Sequence, residues 1–250
     1  MLSITLALVL SATPAPAVES WAKKACPLPK KEPQSNVEYK AQEGARAECL
    51  KKAMNKALDK VIVPLKKKDA ANYKAWMGLQ ADYNRWVADA CAAVEEAYWV
   101  DTATGERSMG TGYGSAEMQC RQGQYAWRGF YADAWARNDW QAITKALDEY
   151  AKVAPKHQEL LAKFTEQAKA AAERAPAQVE QSDTPMQKLS KSDWKDYNDR
   201  LDRAASAPKT LAERQCALVP KAPATCADSF RASLFSQMDL SEVMGRPSEG

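Results

Sequence analysis

The chain is 250 residues long, enough for one large domain or two small ones, with 46% hydrophobic residues and a net charge of +3. Acidic and basic residues are interspersed, so no broad basic face is implied and nucleic acid is not expected as a partner. Ala, Lys, Glu, Gln and Arg dominate and β-branched runs are nearly absent, which predicts helix almost throughout and argues against a sheet protein.

The chain opens with a short apolar stretch, Leu2 to Leu10, too short to span a bilayer. Ala15-Pro16-Ala17 then offers the Ala-x-Ala spacing of a cleavage point before Val18, although no Lys or Arg precedes the apolar core. Residues 1–17 are therefore read as a secretory signal peptide, and a periplasmic or secreted protein without stable membrane insertion is expected. Six cysteines, Cys26, Cys49, Cys91, Cys120, Cys216 and Cys226, fit disulfides in an oxidising compartment. No CxxC pair occurs and the single histidine, His157, is remote from every cysteine in sequence, so no metal and no cofactor are expected.

After a Pro- and Lys-rich lead from Pro27 to Pro33, Ala47, Leu50, Met54, Leu58, Val61 and Leu65 recur at three- and four-residue steps. This predicts an amphipathic helix, bent near Pro64. A charged turn over residues 66–72 leads to a second helix from Tyr73 to Trp99, with Trp76, Leu79, Tyr83, Val87, Ala90 and Val94 on one face. The stretch "GERSMGTGYGSAEMQC", residues 105–120, then interrupts the helices with four glycines. Ser115 is a good N-cap for a third helix, with Glu117 in its first turn and Cys120, Gln124, Trp127, Tyr131 and Ala134 on one stripe. Asn138-Asp139 marks a break, and Trp140, Ile143, Leu147 and Tyr150 resume the pattern. Pro155 suits the first turn of another helix, with His157 in its solvated start. Residues 176–189 read as a polar linker, "SKSD" (190–193) and "TLAE" (210–213) as capping boxes that open helices, and 245–250 as a disordered tail.

The expected fold is all-α. A disulfide-stapled antiparallel helical bundle over residues 18–175 is followed by the linker and by a small helical C-terminal region, 190–244, with Cys216 bonded to Cys226. Cys26, Cys49, Cys91 and Cys120 can pair in three ways, and their heights in the bundle do not choose among them.

The glycine stretch lacks the Gly-Lys-Ser/Thr ending of a phosphate loop, which leaves a connecting turn or a recognition loop presenting Glu106, Arg107, Ser108 and Tyr113. Trp127, Tyr131 and Trp135 crowd the third helix beyond what a single stripe buries, which reads either as bundle core with leftover exposed rings or as an interface, aromatic residues being usual anchors of protein contacts. Glu95 and Glu96 are adjacent and diverge around a helix instead of converging on a substrate, so a non-catalytic binding protein is expected over a hydrolase.

Leu79, Gln80, Tyr83, Cys91, Gly114-Ser115, Cys120 and Arg128 together form a pattern that resembles the LprI-type lysozyme-inhibitor domain of exported bacterial proteins. The resemblance spans roughly residues 49–132. The chain departs from the family where Tyr83 replaces a usual Trp, Val87 an Arg and Tyr125 a Thr. The resemblance implies a protein partner, lysozyme, and the glycine loop with Glu106 and Arg107 is the expected contact for a local insertion. The alternative is an envelope interaction or structural protein without lysozyme activity. Residues 18–175 carry 25 Lys+Arg against 21 Asp+Glu, a net +4, so long-range attraction to a basic lysozyme is not expected and local fit must supply the affinity.

Overall fold

A computed structural model describes residues 15–108, 110–179, 186–219, 222, 224–236 and 238. The apolar core of the expected signal peptide, part of the expected linker, the prolines of the Cys216–Cys226 loop and the expected C-terminal tail lie outside the described residues. Among the described residues the fold is all-α, with seven helices and one small sheet.

Helix α1 (Pro16–Ala25) starts with proline in its first turn and buries Val18 and Ala22, so the expected cleavage point before Val18 falls inside it. Helix α2 (Asn36–Lys68) is capped by Ser35, whose side chain accepts from the Glu38 amide, and it runs through Pro64 to a basic last turn. Asp69 ends α2 and also caps α3 (Ala70–Trp99), accepting from the Asn72 amide. Helix α4 (Ser115–Ala136) is preceded by Gly114 at φ 95°, a left-handed angle that glycine adopts without strain, so Gly114 takes the cap position expected of Ser115. Asn138 (φ 57°) and Asp139 make the expected break before α5 (Trp140–Arg174).

Two expected helix starts are absent. Helix α5 passes through Pro155 because Ile143, Leu147, Tyr150, Ala154, Leu161 and Phe164 keep one apolar stripe across it, and burial of that stripe outweighs the missing amide. His157 lies on the same stripe and is buried, not solvated. "TLAE" likewise lies within α6 (Lys191–Ala217), which continues through Pro208, whereas "SKSD" forms the expected capping box at its start. Helix α7 (Cys226–Ser236) closes the described chain.

Helix α4 is the centre of the bundle. Every residue from Gln124 to Ala132 is buried. The contacts Tyr83–Gln124, Cys91–Cys120 and Trp76–Trp135 run in opposite order along α3 and α4, so these two are antiparallel. Tyr39–Gln119, Glu43–Gln122 and Lys60–Asp133 run in the same order, so α2 lies parallel to α4. Helix α6 is not a separate C-terminal unit. It packs antiparallel on α3, with the Trp86 indole N–H donating to the Ala204 carbonyl, Tyr197 Oη to the Ala93 carbonyl, and Arg203 paired with Asp89.

The disulfides are Cys26–Cys49, Cys91–Cys120 and the expected Cys216–Cys226. They staple α1 to α2, α3 to α4 and α6 to α7. The sheet consists of β1 (Val100–Asp101), β2 (Glu106–Ser108) and β3 (Met186–Lys188), all antiparallel in the order β1-β2-β3. Residues 186–188, expected in a linker, are thus the edge strand that carries the glycine loop onto the C-terminal part of the chain.

Candidate functional site

The loop between α3 and α4 is anchored from below by the two carboxylates that end α3. The Glu95 side chain accepts from Trp99 Nε1 at 2.6 Å, from the Glu117 amide at 2.8 Å and from the Gly114 amide. It therefore fills the amides that open α4, where the helix dipole favours a negative charge. Glu96 accepts from Tyr113 Oη at 3.0 Å and pairs with Arg107 Nε at 2.8 Å. The two acids diverge, as adjacent residues on a helix must, but both reach into the same loop. Burial, followed by the charge of Glu96, pushes the Tyr113 phenol up to about 12, so it stays a donor at neutral pH.

Glycines allow this closeness. Gly105 (φ 74°) turns the β1–β2 hairpin. A Cβ on Gly110 would meet the Trp99 ring at 2.9 Å, so the loop lies flat on that indole only without a side chain there. The Cys91–Cys120 disulfide closes the base one helical turn below Glu95.

Arg107 and Tyr113, expected as outward contacts, are thus turned inward and hold the loop. Glu106 and Ser108 are half-exposed on β2 and Thr111 is exposed, its Oγ1 accepting from Asn36 Nδ2 at 2.7 Å. A cleft of about 450 Å³ beside the sheet is lined by Arg107, Lys188, Ser190, Ser192 and Asp193. Of the first amides of α6 there, that of Asp193 donates to Ser190 Oγ and that of Lys191 to the Pro176 carbonyl.

The aromatic stretch on α4 behaves differently from expectation. Trp127 and Tyr131 are fully buried and cannot meet a partner, because the middle of α4, residues 124–132, is covered on all sides and its surplus aromatic residues fill core. Trp135 is half-buried, edge-on to Trp76 at 5.1 Å and to Trp140 at 4.9 Å. Within this core Arg128 is buried without a carboxylate. Its Nε donates to Gln80 Oε1 at 3.0 Å, its Nη1 to Gln215 Oε1, and its guanidinium lies 5.0 Å from the Tyr83 ring and 5.5 Å from the Trp76 ring. Burial lowers its pKa from the ordinary arginine value. Gln80, Tyr83, Cys91, Cys120 and Arg128, which carried the sequence resemblance, therefore lie on the facing sides of α3 and α4.

Sequence reasoning missed Glu95, Glu96 and Trp99 as loop anchors. The available signal was two acids on an otherwise apolar helix end immediately before a glycine cluster. Among the described residues no group of three or more His, Cys, Asp or Glu is placed to hold a metal, and no helix is long and apolar enough to cross a membrane. No family model, no curated protein and no solved structure matches this chain.

Proposed function

We propose that the chain is an exported, non-catalytic binding protein that presents the sheet-and-loop end of its bundle, residues 100–115, to a protein partner. The observation that carries this reading is the fixing of the glycine loop from beneath. A disulfide, two buried carboxylates and an indole face hold the backbone, while Glu106, Ser108 and Thr111 are left toward solvent. A loop ordered before contact loses little entropy on binding. The non-catalytic part rests on the same buried carboxylates, which are engaged by loop groups, Glu95 by Trp99 and two amides and Glu96 by Tyr113 and Arg107, and are turned away from solvent. Three disulfides favour an oxidising compartment, periplasmic or extracellular.

Lysozyme is the partner that the LprI-type resemblance implies, with the loop entering the concave cleft that holds the enzyme's two carboxylates. The test is the clearing of bacterial cell walls by an animal lysozyme with added purified protein. Replacing the whole loop would also unpair Glu96, so the diagnostic variants are Glu106→Lys and Thr111→Arg, which leave Arg107 and Tyr113 in place. Inhibition by the wild type and its loss in these variants, with the thermal melt unchanged, supports the reading. Inhibition that survives both variants moves the contact away from the loop. A wild type inert toward lysozyme leaves the second reading, an envelope interaction protein, which the net +4 of residues 18–175 favours because it repels a basic enzyme.

A further inference from the structure

A groove of about 670 Å³ runs between α1, α2 and α4, on a part of the surface that the loop does not reach. Its floor is apolar and built from small residues and ring edges: Trp21, Ala25, Ala53, Ala57 and Phe130. Its rim is basic. Lys24, Lys56, Lys60 and Arg137 are exposed along it, and Asp133 is the single acid that lines it. Asp133 is already taken, since Lys60 Nζ lies 2.7 Å from it and Arg137 pairs with its other oxygen. Burial raises the pKa of Asp133, but these two partners outweigh it and hold the carboxyl below its ordinary value, so it stays charged and paired. Lys24 and Lys56 have no ion pair among the described residues and line the groove from α1 and α2.

The groove is built into the fold. Trp21 seats its ring directly on Gly129, where a Cβ would come within 2.1 Å of the indole, and the Cys26–Cys49 disulfide fixes the end of α1 to α2. Helix α1 therefore stands off from α2 at a set distance, and the concavity is present before anything binds.

We propose that this groove docks an acidic amphipathic helical segment of a partner protein. An apolar floor flanked by cations is complementary to a helix with one apolar stripe and carboxylates on both sides of it. The small side chains of Ala25 and Ala53 let a helix backbone approach closely, and the half-buried Trp21 supplies the aromatic contact above the buried Ala57 and Phe130. Concavity favours a chain segment over a flat anionic bilayer, which would touch the rim and leave the floor empty. The size falls in the range of sites that enclose side chains of one ligand segment. This site is independent of the loop and makes no use of lysozyme.

The probe is a fluorescein-labelled synthetic helical peptide of about 15 residues, roughly four turns, with leucine on one stripe and glutamate elsewhere. Its twin carries lysine for every glutamate. Titrated with the full oxidised chain, the glutamate peptide is expected to saturate, and its affinity to fall with added salt. The double variant Lys24→Glu/Lys56→Glu, confined to exposed side chains, is expected to weaken it about tenfold or more with the melting temperature unchanged. A second variant, Ala53→Phe, fills the floor and is expected to abolish binding of the same peptide at unchanged charge. Equal binding of the lysine twin, undiminished binding to the charge-reversed protein, or no saturation up to about 1 mM overturns the proposal. Binding to phosphatidylglycerol vesicles without binding to the glutamate peptide also overturns it and assigns the groove to a lipid surface.

Discussion

Arg128 is a full positive charge in the core with amide oxygens and aromatic faces for company instead of an acid. The Gln80 and Gln215 side chains accept from it, and Gln215 in turn donates to Tyr131 Oη at 3.0 Å, so one guanidinium ties α3, α4 and α6. Arg128→Ala removes that fork, empties its volume and strands two buried amides, and is expected to cost on the order of 3 kcal/mol. Arg128→Met fills the volume without a charge to desolvate and should cost clearly less. Arg128→Lys should fall near the alanine variant, because a single ammonium cannot reproduce the planar fork. Urea midpoints of the three variants check this order, and a methionine variant as unstable as the alanine one would contradict it. At this scale the sequence was partly legible. Cys91 and Cys120 stood out as disulfide candidates with their pairing open, Arg128 entered only through the family resemblance, and the burial of Trp127, Tyr131 and His157 was misjudged. A single helical stripe cannot report that a helix is covered on every side, and His157 follows Pro155 so closely that the proline obscured the continuing stripe.

Helix α1 depends on one close approach. Its Trp21 ring occupies the space over Gly129 where any side chain would stand, so Gly129→Ala is expected to push α1 off α4 even though alanine favours the helix itself by about 1 kcal/mol. Tryptic cleavage after Lys23 or Lys24 should accelerate in that variant, and the double variant Trp21→Ala/Gly129→Ala should be more resistant than Gly129→Ala alone. Between α3 and α6 the attachment is partly ionic. Arg214 hydrogen-bonded to Asp82, against a small cost of burial and with help from Arg85, holds that carboxyl below its ordinary value. A lowered folded pKa gives stability that is present above the unfolded value near 4 and is lost as pH falls through the folded value. Melting temperature should therefore hold from neutral pH to about 5 and drop below about 4, with Asp82→Asn removing part of the acid slope. The contribution is under about 1 kcal/mol because both side chains face solvent. Helices were legible at this scale because their apolar period repeats over many turns. The sheet was not, since two or three residues per strand show no period, and β3 pairs with β2 across nearly eighty positions of sequence.

Among the described residues the molecule is a bundle in which each of three disulfides joins two helices consecutive in the chain, and the three contribute unequally. Cys91–Cys120 spans 29 positions and joins the two central helices directly beneath the glycine loop, with both sulfurs buried. Cys216–Cys226 spans 10 positions and joins α6 to α7 at one side. Chain-entropy arguments give about 3–4 kcal/mol for the longer closure and about 2–3 kcal/mol for the shorter one. The pairing places all six cysteines in disulfides, so denatured, unreduced protein should titrate no free thiol. Cys91→Ala/Cys120→Ala should lower the urea midpoint more than Cys216→Ala/Cys226→Ala does. The two variants should also differ in a way that stability alone does not dictate. Only the first loosens the base on which Glu95 and Glu96 hold the loop, so only it should speed tryptic cleavage after Arg107, whose side chain is otherwise held by Glu96. If both variants expose Arg107 equally at matched stability, the disulfide is a general staple and the loop owes its order to the carboxylates alone.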